Sequence, residues 1–342
     1  MLQYLVILLD DTSTSYCHYG VNKKERRLIS LDHLRQGIHY GMLENLTIQF
    51  VYPDYPLPQE YLDVIDTIDH SNIKPLSAQS VESEKWKVEG SVPRSSIHHS
   101  RCEAPAFDTE TDIVVIDGWD YDTTKLNDAV VVLRTCWKQL NENHGKLKDL
   151  LTVVQRINVV ITDVERMTDS DREQYKAVLD TLAKDVEALY VNGKSPQFNL
   201  LTDRMMLTEM NNCNAGDSTI TLAPNGKFYI CPAFYYESET DSVGDLDNGL
   251  DIKNRQLFKL DHAPICRKCD AWQCRRCAWL NRKTTLEVNT PSREQCVAAH
   301  LERNASRNLM HSLRSKGTFL PDKEEIKELT YLDPFEIATQ WK

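Results

Sequence analysis

Short apolar runs alternate with segments of helical periodicity along the first 200 residues. The apolar runs predict buried strands at 4–10, 45–52, 72–77, 112–118 and 156–164. Apolar positions three or four residues apart predict helices at 28–43, 58–69, about 125–141, 145–155 and from Thr168 onwards. This alternation indicates an α/β fold with a parallel sheet and helices on its faces. Five or six such units favour a closed or partial barrel at least as much as an open doubly wound sheet.

Two of the predicted helices carry a recognisable start. Ser30 stands where an N-cap is expected, and Thr168 has an acid, Asp171, at the third position after it, as in a capping box. Cys136 falls at helical spacing inside the predicted helix at 125–141, so we expect it to be a small buried hydrophobic residue.

Changes in apolar periodicity, cysteine content and charge divide the chain into three parts. We expect an α/β barrel over residues 1–204, with an irregular insertion at about 78–110 that includes a short strand at WKVEGSV. A second, Cys-rich domain is predicted over 205–314, where DSTITLAPNGKFYICP reads as a β-hairpin turning at 224–226. Residues 315–342 form a charged, peripheral tail.

Charge and hydropathy exclude several classes of function. The net charge of −11 disfavours a nucleic acid as the main partner, because such binding depends on Lys and Arg neutralising phosphates. The N-terminal apolar run ends at an acidic pair after seven residues, and no run is long enough to span a bilayer. We therefore expect a soluble cytoplasmic protein without a membrane partner. Neither a G-x-G-x-x-G nor a P-loop motif occurs, so nucleotide-phosphate loops have no support.

Cysteines are numerous and unevenly placed, with seven of the ten crowded into the last part of the chain. In a reducing compartment, clustered cysteines indicate metal ligands rather than disulfides. Two C-x2-C pairs stand within CRKCDAWQCRRC at 266–277, and six Lys or Arg residues surround them against one acid, Asp270. Such a basic island would offset the charge of metal-bound thiolates. The spacing alone fits either zinc or an iron–sulfur cluster. The candidate ligands are Cys213, Cys231, Cys266, Cys269, Cys274, Cys277 and Cys296.

The spacing of these seven cysteines resembles the SPASM domain, the auxiliary iron–sulfur module of radical SAM enzymes that modify peptides. The resemblance implies two [4Fe-4S] clusters. Cys266, Cys269, Cys274 and Cys296 would hold one cluster, and Cys213, Cys231 and Cys277 would bind three irons of the other. Relatives place a further Cys shortly before the first one, whereas residues 202–212 contain none, so the fourth ligand is open. His262 and His300 lie nearby in sequence, and we expect both to be surface residues.

A SPASM domain implies a radical SAM barrel before it, a partial (β/α)6 TIM-like barrel with a catalytic cluster on C-x3-C-x2-C after the first strand. Aligned on Cys17 as the third ligand, the other two positions hold Asp10 and Thr14. The Gly-Gly-Glu-Pro-like strand end of the family would fall at 51–56 and is absent. The barrel is therefore similar to a degenerate radical SAM domain, and we expect S-adenosylmethionine not to be cleaved by this chain alone.

The chain as a whole resembles the CXXX-repeat peptide maturase family, through LVILLDDTSTSYC, SLDHLRQGIHYGM and NLTIQFVYPDYPLP. That resemblance implies an iron–sulfur protein of a peptide-maturation system that binds a Cys-rich precursor peptide. An active radical SAM partner or an electron donor would complete such a system. Two alternatives remain. One is a non-catalytic peptide-binding adaptor with a structural iron–sulfur or zinc module. The other is a zinc protein whose knuckles contact a protein or a nucleic acid.

No acid, base or nucleophile is identified by its sequence pattern. Five aspartates stand at or beyond predicted strand ends, where barrels place chemistry, but we favour reading them as polar strand terminators. They are Asp10, Asp11, Asp54, Asp117 and Asp163.

Overall fold

The computed structural model describes residues 1–76, 108, 110–317 and 326. Within these residues nine strands form one sheet and two short strands form a second. The large sheet contains β1 (Tyr4–Leu8), β2 (Thr47–Val51), β3 (His70–Pro75), β4 (Asp112–Asp117), β5 (Val130–Thr135), β6 (Arg156–Ile161), β7 (Gln197–Phe198), β8 (Thr219–Leu222) and β9 (Phe228–Tyr229). The small sheet pairs β10 (Gly244–Asp245) with β11 (Gly249–Leu250).

Helices connect and cover these strands. They are α1 (Leu31–Leu43), α2 (Gln59–Ile65), α3 (Trp137–Asn143), α4 (Lys146–Val153), α5 (Asp169–Val191), α6 (Asp203–Met206), α7 (Pro232–Glu237), α8 (Ala278–Thr285) and α9 (Arg293–Lys316). Ser30 caps α1, and Thr168 with Asp171 forms a reciprocal capping box at the start of α5, as predicted.

The order of the strands is that of a partial barrel. From β1 to β7 each strand pairs in parallel with the next along the chain, which is the arrangement of repeated βα units. Along β1, Leu5, Ile7 and Leu9 pack with α1 and α2, whereas Val6 and Leu8 join an inner apolar cluster. The sheet therefore carries apolar side chains on both faces, and the α/β partial-barrel fold predicted from the sequence is confirmed.

The helix predicted at 125–141 is wrong in its first part. Val130–Thr135 forms β5, paired on one edge with β4 and on the other with β6, and the helix begins only at Trp137. A strand buried on both faces is a continuous apolar run, which periodicity does not separate from a buried helix. Cys136 is consequently not a core residue of a helix. It lies half-buried at the N-cap of α3.

The predicted hairpin is present and extends the sheet of the barrel. β8 pairs in parallel with β1, and β9 pairs antiparallel with β8 around a turn in which Gly226 has φ of +76°. A side chain on Gly226 would also collide with the ring of His33, since a Cβ there would lie 2.7 Å from it. Because Tyr4 pairs with Thr219 and Ile7 with Leu222, the turn of the hairpin lies at the carboxyl end of β1, and Cys213 and Cys231 flank the opposite, open end of the hairpin.

Helix α9 packs against α5 of the barrel. Ala298, Leu309 and Leu313 of α9 share an apolar core with Leu179 and Leu182 of α5. The predicted insertion at 78–110, with its short strand, lies outside the described residues except for positions 108 and 110. Of the predicted tail, only residues 315–317 and 326 are described, and α9 ends at Lys316.

Candidate metal centres

Four thiols line a single cavity of about 330 Å³ between the segment 264–276 and α9. These residues, Cys266, Cys269, Cys274 and Cys296, are called the knuckle thiol group below. Turn hydrogen bonds hold the two knuckles: the amide of Cys269 donates to the carbonyl of Cys266 at 3.0 Å, and that of Cys274 to Ala271 at 3.0 Å. Burial raises the pKa of Cys266 to about 11 and that of Cys274 to about 12 in the metal-free chain.

His300 belongs to this cavity, and its predicted surface position is wrong. It lies one helical turn beyond Cys296 on α9, is buried, and places Nε2 3.6 Å from Sγ of Cys269. The spacing of four residues within one helix could have indicated this, because such positions share a face. His262, by contrast, is exposed as expected.

A second set of thiols lies where the hairpin and α8 meet the barrel. Cys213, Cys231 and Cys277 are called the hairpin thiol group below. Cys231 follows β9 and caps α7, and Cys277 caps α8 by accepting the amide of Leu280 at 3.4 Å. Burial, and then the neighbouring Cys213 thiol, raise the pKa of Cys277 to about 12. Burial, followed by the Cys277 and Cys213 thiols, also raises the pKa of Cys231. The three sulfurs therefore lie within mutual electrostatic range.

Cys17 joins this region from the loop after β1. Burial raises the pKa of its thiol, and the next causes are the thiols of Cys213 and Cys277. Its position against the hairpin thiol group was not predicted, because the three lie almost 200 residues or more along the chain from it. Cys17 and the hairpin cysteines Cys213 and Cys231 pack against the same inner apolar cluster.

The basic island has two parts with different surroundings. Arg276 is buried, donates to Oδ1 of Asn212 at 3.2 Å and to the Phe258 carbonyl, and lies within electrostatic range of thiols from both groups. Arg282 instead forms ion pairs with Glu237 at 2.6 Å and Asp241 at 2.7 Å. Arg276 can therefore offset thiolate charge at short range, whereas the charge of Arg282 is already balanced by two carboxylates.

The candidate donors of both groups are thiols. The nine described cysteines form no disulfide bond, and the cavity of the knuckle group has no carboxylate in its lining. Across the described part of the chain, no three Cys, His, Asp or Glu side chains converge closely enough to hold one metal ion. Thiolates are ligands of zinc and of iron–sulfur clusters alike.

The positions of the expected radical SAM motif carry one thiol. Asp10 is fully buried, where its carboxylate accepts the Thr12 amide at 2.7 Å and the Tyr55 hydroxyl at 2.8 Å. Thr14 lines a cavity of about 1060 Å³ at the carboxyl ends of β4, β5 and β6. Cys17 packs against the inner apolar cluster that also contacts Cys213 and Cys231.

Most of the strand-end aspartates have structural partners. Asp11 pairs with Arg27 at 2.9 Å, Asp117 with Arg134 at 2.6 Å, and Asp163 accepts the amide of Trp137 at 2.7 Å. Asp54 is exposed and lines the large barrel cavity together with Asp117, Asp120 and Asp122.

Two solved structures of anSMEcpe are similar to this chain. The structure with bound AdoMet has 13% identity and a TM-score of 0.55, covering 91% of this chain and 99% of that chain. The structure with AdoMet and the Cp18Cys peptide has 12% identity and a TM-score of 0.55, covering 92% and 100%. At this identity the likeness shows the fold, a radical SAM-like partial barrel.

Streptococcus suis SuiB bound to precursor peptide SuiA is more distant, at 10% identity and a TM-score of 0.40 over 75% of this chain and 64% of that chain. No protein-family model and no curated protein matches the chain. None of the helices within the described ranges is long and apolar enough to cross a membrane.

Proposed function

We propose that the protein is an iron–sulfur component of a peptide-maturation system that binds a Cys-rich precursor peptide. The observation that carries the proposal is the knuckle thiol group, whose four sulfurs surround one cavity in a fold shared with anSMEcpe. One of those similar structures contains a bound peptide next to AdoMet. A peptide-modifying role for this fold is thus supported from two directions, the thiols and the architecture.

In this proposal two [4Fe-4S] clusters lie in the SPASM-like part of the chain. The knuckle thiol group would supply four thiolates to the first cluster, and the hairpin thiol group three to the second. When bound, such clusters supply one-electron transfer or an iron that ligates a substrate thiolate. The role of this chain's residues is to bury the sulfurs, to place Arg276 between the groups and to direct His300 at Cys269.

The barrel would bind peptide without cleaving S-adenosylmethionine on its own. Reductive cleavage needs three thiolates on one cluster, and Asp10 and Thr14 stand where two of them are required. A carboxylate and a hydroxyl are harder, weaker iron ligands than thiolates. We therefore expect an active radical SAM enzyme or an electron donor as partner.

The large barrel cavity is the proposed seat of the peptide. Its volume of about 1060 Å³ suits several residues of extended chain, and Thr14, Gly20 and Tyr121 are among its lining residues. The cavity opens at the carboxyl ends of the parallel strands, where barrels bind their ligands.

A non-catalytic adaptor is the second candidate, and the surroundings of Asp10 favour it. The hydrogen bonds of this buried carboxylate close a turn in the loop after β1, which is a structural task at a position expected to hold a catalytic ligand. In that case the metal centres, of iron–sulfur or zinc, only hold the Cys-rich part in shape. We place the protein in the cytoplasm, because a reducing compartment keeps thiols from forming disulfides and the described cysteines form none.

The test is peptide binding by the metal-loaded protein, prepared without oxygen. A fluorescent synthetic peptide with repeated Cys should bind, and the same peptide with Ser at each Cys should bind at least about 10-fold more weakly if iron ligates its thiolate. Gly20→Tyr should block binding because it fills the barrel cavity. Gly145→Tyr is the matched control, since a Cβ at either glycine has nothing within 4 Å. Equal binding of both peptides would exclude an iron–thiolate bond to the peptide, and no binding of either would refute the proposed function.

A further inference from the structure

We propose that Cys17 supplies the fourth thiolate to the cluster of the hairpin thiol group. This inference rests on the proposed function, which assigns that group to an iron–sulfur cluster. It adds a ligand from outside the Cys-rich part of the chain, from the loop that follows the first barrel strand.

The hairpin thiol group is one ligand short. Three thiolates satisfy three irons of a [4Fe-4S] cluster, and residues 202–212, which precede Cys213, contain no cysteine. The missing donor must come from elsewhere in the fold or from a bound molecule.

Cys17 packs where that donor is needed. It lies against the same inner apolar cluster as Cys213 and Cys231, together with Tyr16 and Tyr236. The half-buried Cys17 thus lies against the same buried surface as two members of the hairpin thiol group.

The chain at Cys17 and at the two residues after it is anchored to the ends of two strands. Arg134 of β5 donates from Nε to the Cys17 carbonyl at 2.9 Å and from Nη2 to the Tyr19 carbonyl at 2.8 Å. The ring of His18 lies 3.1 Å from the carbonyl of Ile161 at the end of β6. These contacts fix the loop before any cluster is present, which is how a ligand is preorganised.

The local charge also suits a thiolate. The guanidinium groups of Arg275 and Arg134 lie within electrostatic range of the Cys17 sulfur and favour its ionised form against the effect of burial. On binding iron the thiol would release its proton to solvent, and these two cations would balance the new charge. The cluster would then cross-link the barrel loop to the hairpin and to α8.

The experiment uses the full chain reconstituted without oxygen, and compares the wild type with Cys17→Ala, Cys17→Ser and the control Cys136→Ser. Cys136 is a second half-buried cysteine in the barrel. Iron and sulfide per chain are measured with Mössbauer and EPR spectra, and folding is checked by circular dichroism. Alkylation of each cysteine in the wild type, followed by mass spectrometry before and after chelation, gives a reading that needs no variant.

We expect Cys17→Ala to lose the second cluster or to hold it as a [3Fe-4S] form, so that iron falls from about eight to between about four and about seven atoms per chain. Cys136→Ser should keep the wild-type content. Cys17 should resist alkylation until the chelator is added. Two clusters in the wild type, with unchanged iron and spectra in both Cys17 variants and rapid alkylation of Cys17, would overturn this inference alone. A wild type that takes up no iron would overturn the proposed function and the inference together.

Discussion

Nε2 of His300 lies 3.6 Å from Sγ of Cys269, across a buried cavity that four thiols line. A neutral ring protonated at Nε2 would donate to that sulfur. Hydrogen bonds to ligand sulfurs stabilise the reduced, more negative form of a cluster. If the proposed cluster is bound there, His300 would therefore tune its reduction potential.

Replacing His300 should change the properties of that centre while the chain still folds. We expect His300→Leu to lower the reduction potential of one cluster and to speed iron loss to a chelator about 10-fold, since second-sphere partners affect affinity by that order. His262→Leu is the matched control, because His262 is exposed. Redox titration followed by EPR measures the effect. Identical potentials in the two variants would show that His300 does not act on the cluster.

Removing the buried cation should weaken both centres together. Arg276→Met keeps much of the side-chain volume and removes the charge that faces thiols of both groups. We expect iron content to fall at both sites, because uncompensated thiolate charge in a buried region is costly. Lys283→Met, at an exposed position of the same basic run outside the cavity lining, should keep full iron content. Equal iron in both variants would contradict this role.

Glu302 should make stability depend on pH. Burial raises its pKa from 4.5 to about 7, against the hydrogen bonds donated by Tyr175 and Gln273. A raised carboxyl pKa means that its contribution to stability is full below about pH 4.5 and is lost as the pH rises through about 7. A nearby anionic cluster would raise this pKa further and leave the sign unchanged.

Glu302→Gln should therefore gain stability relative to the wild type between pH 5 and pH 8.5, by about 2 kcal/mol. Urea unfolding followed by circular dichroism at the two pH values measures the difference. Glu173→Gln, at an exposed position of α5, should show no such change. A gain that is the same at both pH values would exclude titration of Glu302 as the cause.

The wild-type chain should form no 5′-deoxyadenosine when given iron, sulfide, a strong reductant and S-adenosylmethionine. Asp10 is tied to Thr12 and Tyr55, and Cys17 is the single thiol among the three motif positions, so the loop after β1 offers no three-thiolate set. Chromatography of the reaction mixture measures the product. Formation at many turnovers per chain, abolished by Cys17→Ala, would show that the barrel carries a working cluster.

Local signals predicted much of the fold. Strand–helix alternation, the capping box at Thr168 and the turn at Gly226 depend on neighbours in sequence, and each is present in the structure. β5 was missed because a strand with both faces buried has no alternation to distinguish it from a helix. The pairing of β1 with β8 could not be predicted, because its hydrogen bonds join segments that are far apart in the sequence and leave no local pattern.

In the candidate site, too, the residues with a local sequence signal were predicted and those that depend on tertiary contacts were not. The two knuckles were visible as C-x2-C spacings, and three of their four cysteines, Cys266, Cys269 and Cys274, line one cavity together with Cys296. The fourth, Cys277, lies with the hairpin thiol group. The position of Cys17 depends on the loop after β1 meeting the hairpin, and that of His300 on the rotation of α9 against the knuckles. The division of the chain at residue 205 stays a prediction.

The central claim is that these thiols hold iron–sulfur clusters, and metal analysis of protein purified without oxygen tests it most directly. We predict brown protein with about eight iron and about eight sulfide per chain and with Mössbauer parameters of [4Fe-4S] clusters. Colourless protein that contains zinc in place of iron and no sulfide would contradict the claim.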